Sequence, residues 1–545
     1  MKIFLNALKE KCVNHEKLLT VGLFLLLFVF GLFFIGDVGF YNDETNEENI
    51  LKMNIYEYSR QFGENNDLVT YFKDNGFDPI SLSIERDHGV APYYLFAPFL
   101  TLDKVSNNLL SNAWHFYTYV LTFLGVICFY LLSKLLFKKK SVALLSTLIF
   151  FFTPRIFIDG LYNNKDAVLM SFSVMSLYFG VKFIKKRNYK SAILFGLVSA
   201  FTCNLKISGI FIFGMVGLWY LLELTIHKKW SKKTFFAGVL AIISCFGLYL
   251  LITPAIWGNG FNLTDFIEWC LNNSTKFSRW NGTVLFEGVL YNNLTKPLPW
   301  YYLPKMIIIT IPVFVVILAI LSFFLFVFKS IKEKKINNVG IIYLLLVLIV
   351  IIPVSVAMIS SPNIYNGWRH FYFLYGPIAL LAGFGIYYSL DFKWSKILQI
   401  LAFIFVLINV TIICVYGVFC TCYYNILASG DITKKFELNY YSAASRVIME
   451  DIVDNNRGCD EDGKCYISAQ NFAAEEMRLN YNALPVSYQD KIVLVNDDNR
   501  TKLEKDKKKI IYYVNPTYDF NSYKDYDKIY EKNMFNYTIY YLYTK

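Results

Sequence analysis

The sequence predicts a polytopic α-helical membrane protein, with about eleven transmembrane helices and a small α/β domain outside the membrane. Three observations predict this fold class. Of the 545 residues, 55% are hydrophobic and 17% charged, a more apolar balance than an ordinary soluble chain shows. Long apolar stretches recur up to residue 418. Lysine-rich and acid-rich loops alternate between them.

The bilayer justifies each span. Backbone groups in hydrocarbon have no water to bond, so a crossing helix needs roughly 20 apolar residues for a core about 30 Å thick. Leu18–Ile35 meets that need without a charge. Lys2, Lys9, Lys11 and Lys17 precede it as in a signal peptide, but the apolar run is long and only Gly36-Asp37-Val38 follows, so an uncleaved anchor is expected. Further spans are expected at 113–136, 141–153, 166–184, 191–205, 208–226, 234–254, 302–328, 338–358, 371–390 and 395–418. The third and fifth of the eleven have the least defined ends.

Lys138–Lys140, Lys185-Lys186-Arg187, Lys228 to Lys233, Lys329 to Lys335 and Lys393 to Lys396 fall at every second turn. The positive-inside rule places these loops and the N-terminus in the cytoplasm of a multi-pass cell-membrane protein. Loops 37–112, 154–165, 255–301 and 359–370 and the tail from 419 are then extracytoplasmic. The net charge of +11 is thereby explained as topology signal and calls for no nucleic-acid partner.

After about residue 418 polar residues return. Tyr440–Asp454 has helical periodicity, and short strands are expected at Lys464–Ser468, Lys491–Val495, Ile510–Val514 and Thr538–Tyr543. The chain thus divides into a transmembrane unit, 1–418, and an extracytoplasmic α/β unit, 419–545, large enough to bury its own core. Cys128, Cys203 and Cys245 lie in spans as small apolar fillers. Cys459 and Cys465 bracket a short outer loop, where a disulfide and two free thiols are both open readings. Zinc is poorly supported there, with no companion pair or His nearby.

Four outer clusters carry candidate chemistry. Asp43-Glu44 lies just beyond the first span, where a carboxylate suits the general base of a hydroxyl nucleophile. A solvated acidic loop is the competing reading, favoured by Glu47 and Glu48. The second cluster runs from Pro154-Arg155 to Lys165-Asp166 at the mouth of the bundle, where ionisable groups are costly unless hydrated or paired. Interfacial snorkelling explains Lys165 but not Asp166. The third is Lys206, a lysine on the face that positive-inside statistics disfavour. The fourth, Asn366-Gly367-Trp368-Arg369-His370-Phe371, sets an arginine fork suited to phosphate beside a histidine. An aromatic belt accounts equally for Trp368 and Tyr372.

Together these motifs resemble the glycosyltransferase C superfamily, and within it the family 39 group of bacterial protein-O-mannosyltransferase-like and aminoarabinose-transferase-like enzymes. The residues that carry the resemblance are Asp43-Glu44, Asn163-Asn164-Lys165-Asp166, Lys206-Ile207-Ser208-Gly209, Thr253-Pro254-Ala255-Ile256-Trp257, Ser278-Arg279-Trp280-Asn281, Leu298-Pro299-Trp300, Tyr365-Asn366-Gly367-Trp368-Arg369-His370 and Phe436-Glu437-Leu438-Asn439-Tyr440-Tyr441. The resemblance implies an inverting membrane glycosyltransferase that draws a sugar from a polyprenyl-phosphate donor at the outer leaflet. Its acceptor is a protein, a glycolipid or a cell-wall polymer, and membrane lipid surrounds it. Asp43 matches the base, Glu44 its neighbour and Asp166 a second acidic position. Lys165, Lys206, Arg369 and His370 are implied to face the donor phosphate. His88 sits where relatives often carry a His-Pro-Pro-like loop, with Gly89 in place of the adjoining proline. Arg155 is a further candidate. No cofactor is expected, since no Gly-rich phosphate loop or Rossmann fingerprint occurs, and no motif points to a metal. The alternatives are a transporter or flippase of lipid-linked saccharides, and an assembly protein whose tail binds the cell wall.

Overall fold

The computed structural model describes residues 2–63, 66–100, 107–264, 266–269, 282–292, 295–334, 337–360, 362, 364–469, 474–515, 523 and 525–545. Ser278-Arg279-Trp280-Asn281 and Lys335 lie outside the described residues.

Nine helices among the described residues are long and apolar enough to cross a bilayer: Glu16–Ile35, Asn108–Phe137, Asp166–Lys186, Gly209–Ile226, Lys232–Leu251, Val313–Glu333, Asn338–Ser360, Arg369–Ser389 and Ser395–Cys422. The other two expected stretches are helical but shorter. The one expected at 191–205 is the 17-residue helix Tyr189–Leu205. The one expected at 141–153 is Lys140–Phe151, which continues as Pro154–Tyr162 after a 70° bend. Pro154 causes the bend, because it lacks an N–H and forces Thr153 before it into an extended conformation. The expected span at 302–328 is corrected in the same way. Pro312 divides it into a short helix, Tyr302–Thr310, and the crossing helix Val313–Glu333.

Asp166–Lys186 and Arg369–Ser389 form the centre of the bundle, with 83% and 89% of their apolar windows buried, against 22% for Glu16–Ile35 at the lipid-facing periphery. Their sequences explain the placement. Ser171, Ser173, Ser176 and Gly180 on one, and Ala379, Ala382, Gly383 and Gly385 on the other, let backbones approach closely. A Cβ on Gly385 would stand 2.4 Å from the Leu318 carbonyl oxygen.

The lysine-rich loops gather at one end of the bundle. There Lys140 bonds the Glu16 carbonyl at 3.0 Å, Lys185 the Leu135 carbonyl at 3.0 Å, and Lys329 pairs with Asp391 at 2.7 Å. The candidate residues gather at the other end, with the C-terminal tail. All four strands expected in the tail are present, and Asp527–Met534, a polar strand with two register shifts, joins them. We label β1 (Cys465–Ala469), β2 (Ile492–Leu494), β3 (Ile510–Val514), β4 (Asp527–Met534) and β5 (Tyr537–Thr544). The sheet order is β2-β1-β3-β5-β4, with β1 parallel to β2 and β3, and β5 antiparallel to β3 and β4. A disulfide joins Cys459 to Cys465. The helix expected over Tyr440–Asp454 begins only at Ser445. Asn439 and Ser442 take positive φ angles of 47° and 57°, which break the helix and turn Tyr440-Tyr441 toward the bundle.

Gly385→Ala is expected to cost about 1–3 kcal/mol of stability through overpacking against the Leu318 backbone. Gly247→Ala, at a position with open space around it, is expected to leave stability unchanged. The melting temperatures of the two detergent-solubilised variants make the comparison.

Candidate active site

A cavity of about 370 Å³ opens at the end of the bundle that carries the tail. Short local structures deliver its charged side chains. Asp43 caps the helix Glu44–Gln61. The Asn163 side-chain oxygen accepts from the backbone N–H of Lys165 at 3.3 Å and of Asp166 at 2.7 Å, which starts the central helix at Asp166. Lys206 caps the C-terminus of Tyr189–Leu205 in an extended conformation. Arg369 follows a loop pinned from both sides. Trp368 donates to Thr310 at 2.7 Å, and Tyr302 to the Gly367 carbonyl at 3.0 Å.

These groups form one ionic network. Arg369 Nη1 lies 2.8 Å from Asp43 and 3.9 Å from Asp166, Lys206 pairs with Asp166, and Lys165 pairs with Glu47 at 2.9 Å. The Arg369 guanidinium sits between the rings of Tyr365 and Tyr441, at 4.5 and 4.7 Å. Its Nε is buried and bonds nothing among the described residues. The two carboxylates on Arg369 differ sharply. The Asp43 side chain is 46% exposed, whereas that of Asp166 is 3% exposed and also accepts from Tyr441 at 3.2 Å. His370 lines the cavity with its ring 4.3 Å from that of Tyr365.

Six of the anticipated residues, Asp43, Lys165, Asp166, Lys206, Arg369 and His370, therefore meet in one place. His88 also lines the cavity, 3.3 Å from Glu85 and 4.0 Å from Glu47. Gly89 beside it is explained by packing, because a Cβ there would lie 1.7 Å from the Asn204 carbonyl oxygen. Glu44 does not face the cavity. It is fully buried on the other side of its helix, bonded to Ser111 at 2.7 Å and His115 at 3.0 Å. Arg155 is also elsewhere, donating to the Tyr423 carbonyl at 3.0 Å and lying over the Tyr424 ring.

Glu47 and Glu48, expected to mark a solvated loop, are both buried. Glu47 stands one helical turn after Asp43 on the same face, a spacing that sequence periodicity contains. Tyr441, at the end of a resemblance motif, carried no chemical signal of its own. Burial lowers the Lys206 ammonium below the usual lysine range, with the Asp166 carboxylate opposing the shift. Burial likewise raises Glu47, against the pull of Lys165. Farther out, Glu437 accepts from the Leu285 N–H at 3.2 Å and from Asn366, and so joins the tail to the Arg369 loop.

Residues 87–257 match the family described as dolichyl-phosphate-mannose-protein mannosyltransferase. No curated protein is significantly similar to the chain. The chain is similar in structure to ArnT from Cupriavidus metallidurans in its crystal structure bound to undecaprenyl phosphate, with a TM-score of 0.44, 10% identity, and coverage of 97% of this chain and 98% of that one. The apo state of ArnT gives a TM-score of 0.43 and 12% identity over 98% of each chain. The family match covers Lys165, Asp166 and Lys206. The bundle of membrane-crossing helices makes the chain a multi-pass membrane protein, and the match of residues 87–257 places a mannosyltransferase-like segment within it.

Burial raises Glu437 to about 8, with its two hydrogen bonds opposing the shift. The folded protein then holds a proton that the unfolded chain loses near the ordinary glutamate value of 4.5. The stability this side chain contributes is complete below about 4.5 and is lost as the pH rises through about 8. Glu437→Gln is neutral at every pH. Thermal unfolding should show it equal to wild type in mild acid and more stable in alkali.

Proposed function

We propose that this protein transfers a sugar from a polyprenyl-phosphate donor to the hydroxyl of an extracytoplasmic acceptor, inverting the anomeric carbon. The observation that carries the reading is the buried Arg369 guanidinium beside the cavity, with a half-exposed carboxylate on one nitrogen and an Nε that no described residue bonds. The matched family's description supports the donor class, since dolichyl phosphate mannose is a polyprenyl-phosphate sugar. The lysine-rich end of the bundle faces the cytoplasm, which puts the cavity on the outer side. Unit 1–418 holds the donor, and unit 419–545 shapes the side from which a protein, glycolipid or wall polymer approaches.

In this reading the donor leaves as a phosphate monoester, and negative charge grows on the oxygen that departs. Arg369 and Lys206, with Lys165 and His370 near them, stabilise that charge in a partly desolvated pocket. Asp43 takes the proton of the attacking hydroxyl. Asp166 is less suited to that task, because Lys206, Arg369 and Tyr441 already occupy its oxygens. Arg369 also holds Asp43, at 2.8 Å. A phosphate that draws on the guanidinium weakens that hold and frees the carboxylate for the attacking hydroxyl.

Two measurements test the reading. Asp43→Asn keeps the shape and removes the proton acceptor, and transfer should fall on the order of 10²–10⁴-fold with the protein still folded. Mass spectrometry of surface glycans and glycoproteins reads this in cells. Undiminished transfer would assign the base elsewhere. Arg369→Lys keeps the charge and loses the fork, so purified protein in nanodiscs should bind a polyprenyl phosphate roughly 10- to 100-fold more weakly.

A further inference from the structure

Tyr441 reaches the cavity from the C-terminal segment, far in sequence from the residues it touches. Its hydroxyl accepts from Arg369 Nη1 at 2.5 Å and from the Asn163 amide at 3.0 Å, and donates to Asp166 at 3.2 Å. A phenol has one proton to give and two lone pairs to fill, so all its capacity is used on this network. The ring forms one side of the aromatic clamp on the guanidinium. The backbone acts on the opposite partner. The Tyr441 carbonyl accepts from the Asn42 N–H at 3.1 Å and that of Ala443 from the Gly39 N–H at 2.9 Å, so residues 441–443 align the strand of chain that ends in Asp43.

We propose that Tyr441 is a positioning residue for the transfer reaction, supplied by the C-terminal segment, whose hydroxyl sets the direction of the Arg369 fork relative to Asp43 and Asp166. The inference deepens the proposed function and rests on it. Without the hydroxyl, Arg369 keeps its ring stacking and Asp43 but loses the contact that stops it from turning within the clamp. The tail is then part of the site rather than an appended module, and its removal abolishes donor binding as well as acceptor approach.

The test uses the full-length protein in nanodiscs as wild type, Tyr441→Phe and Arg369→Gln. Arginine-selective dicarbonyl labelling, read peptide by peptide, reports the freedom of Arg369, with buried Arg155 as an internal control for general loosening. Titration with undecaprenyl phosphate reports anion binding. The expected result for Tyr441→Phe is faster labelling of Arg369 alone, an unchanged melting temperature and binding about 10-fold weaker than wild type. Labelling and binding equal to wild type would show that Tyr441 only packs, and would overturn this inference alone. If Arg369→Gln binds the lipid phosphate as tightly as wild type, the donor reading falls and this inference falls with it.

Discussion

The Arg369 guanidinium is buried between two tyrosine rings and shared by two carboxylates, and the segments that carry Asp43, Asp166 and Tyr441 meet on it. A buried cation that loses its partner destabilises a protein far more than a paired one stabilises it. The arrangement is therefore over-determined. Trp368 and Tyr302 fix the loop before Arg369, Tyr441 hydrogen-bonds it from the tail, and Asp166 pairs with it at 3.9 Å from the start of the central helix. Asp166 carries a second load, because it also separates Lys206 from Arg369. Without it two buried cations would face each other across a low-dielectric corner.

The network is close to neutral, with Arg369, Lys206 and Lys165 set against Asp43, Asp166 and Glu47. Neutrality lets the site fold without an anion present. It also means that an anionic ligand competes with a carboxylate rather than filling a vacant cation. Asp43 is the member with most to yield, being the most exposed of the three acids. The difference in burial between Asp43 and Asp166 separates a group that can exchange partners from one that cannot.

Much of this was legible in the sequence. Apolar length and lysine alternation locate the helices, because a bilayer imposes both constraints residue by residue. They fail at Pro312, whose missing N–H breaks an apolar run that hydropathy reads as continuous, and after Pro154, where a stretch read as loop is the short helix Pro154–Tyr162. Asp43, Lys165, Asp166, Lys206 and Arg369 were visible because charges beside spans are costly and stand out. Glu47 looked like solvent because it sits among other acids, and only the helix that buries it tells it apart. Tyr441 was invisible for a different reason. Tyrosine is common in this chain, and its role depends on two left-handed residues that a helical periodicity conceals.

The placement of charge also bears on how the bundle works. A transporter that alternates access needs polar groups near the middle of the membrane, where a substrate passes from side to side. Among the described residues, the buried charges on or beside the central helices cluster at the ends. Asp166, Arg369 and His370 line the cavity, Arg155 and Asp159 bond Tyr423 and Tyr372 outside it, and Glu223 lies among Arg187, His227 and Lys229 at the lysine-rich end. Between those ends the central helix Arg369–Ser389 meets its neighbours through glycines, Gly376 against Val174 and Gly385 against the Leu318 backbone. Contacts that close leave little room for one half of the bundle to rock against the other. A rigid bundle with its charges gathered in a cavity at one end suits the proposed chemistry on a lipid headgroup that diffuses in the plane of the membrane, and the same rigidity would hold Arg369 and Asp43 in register for it.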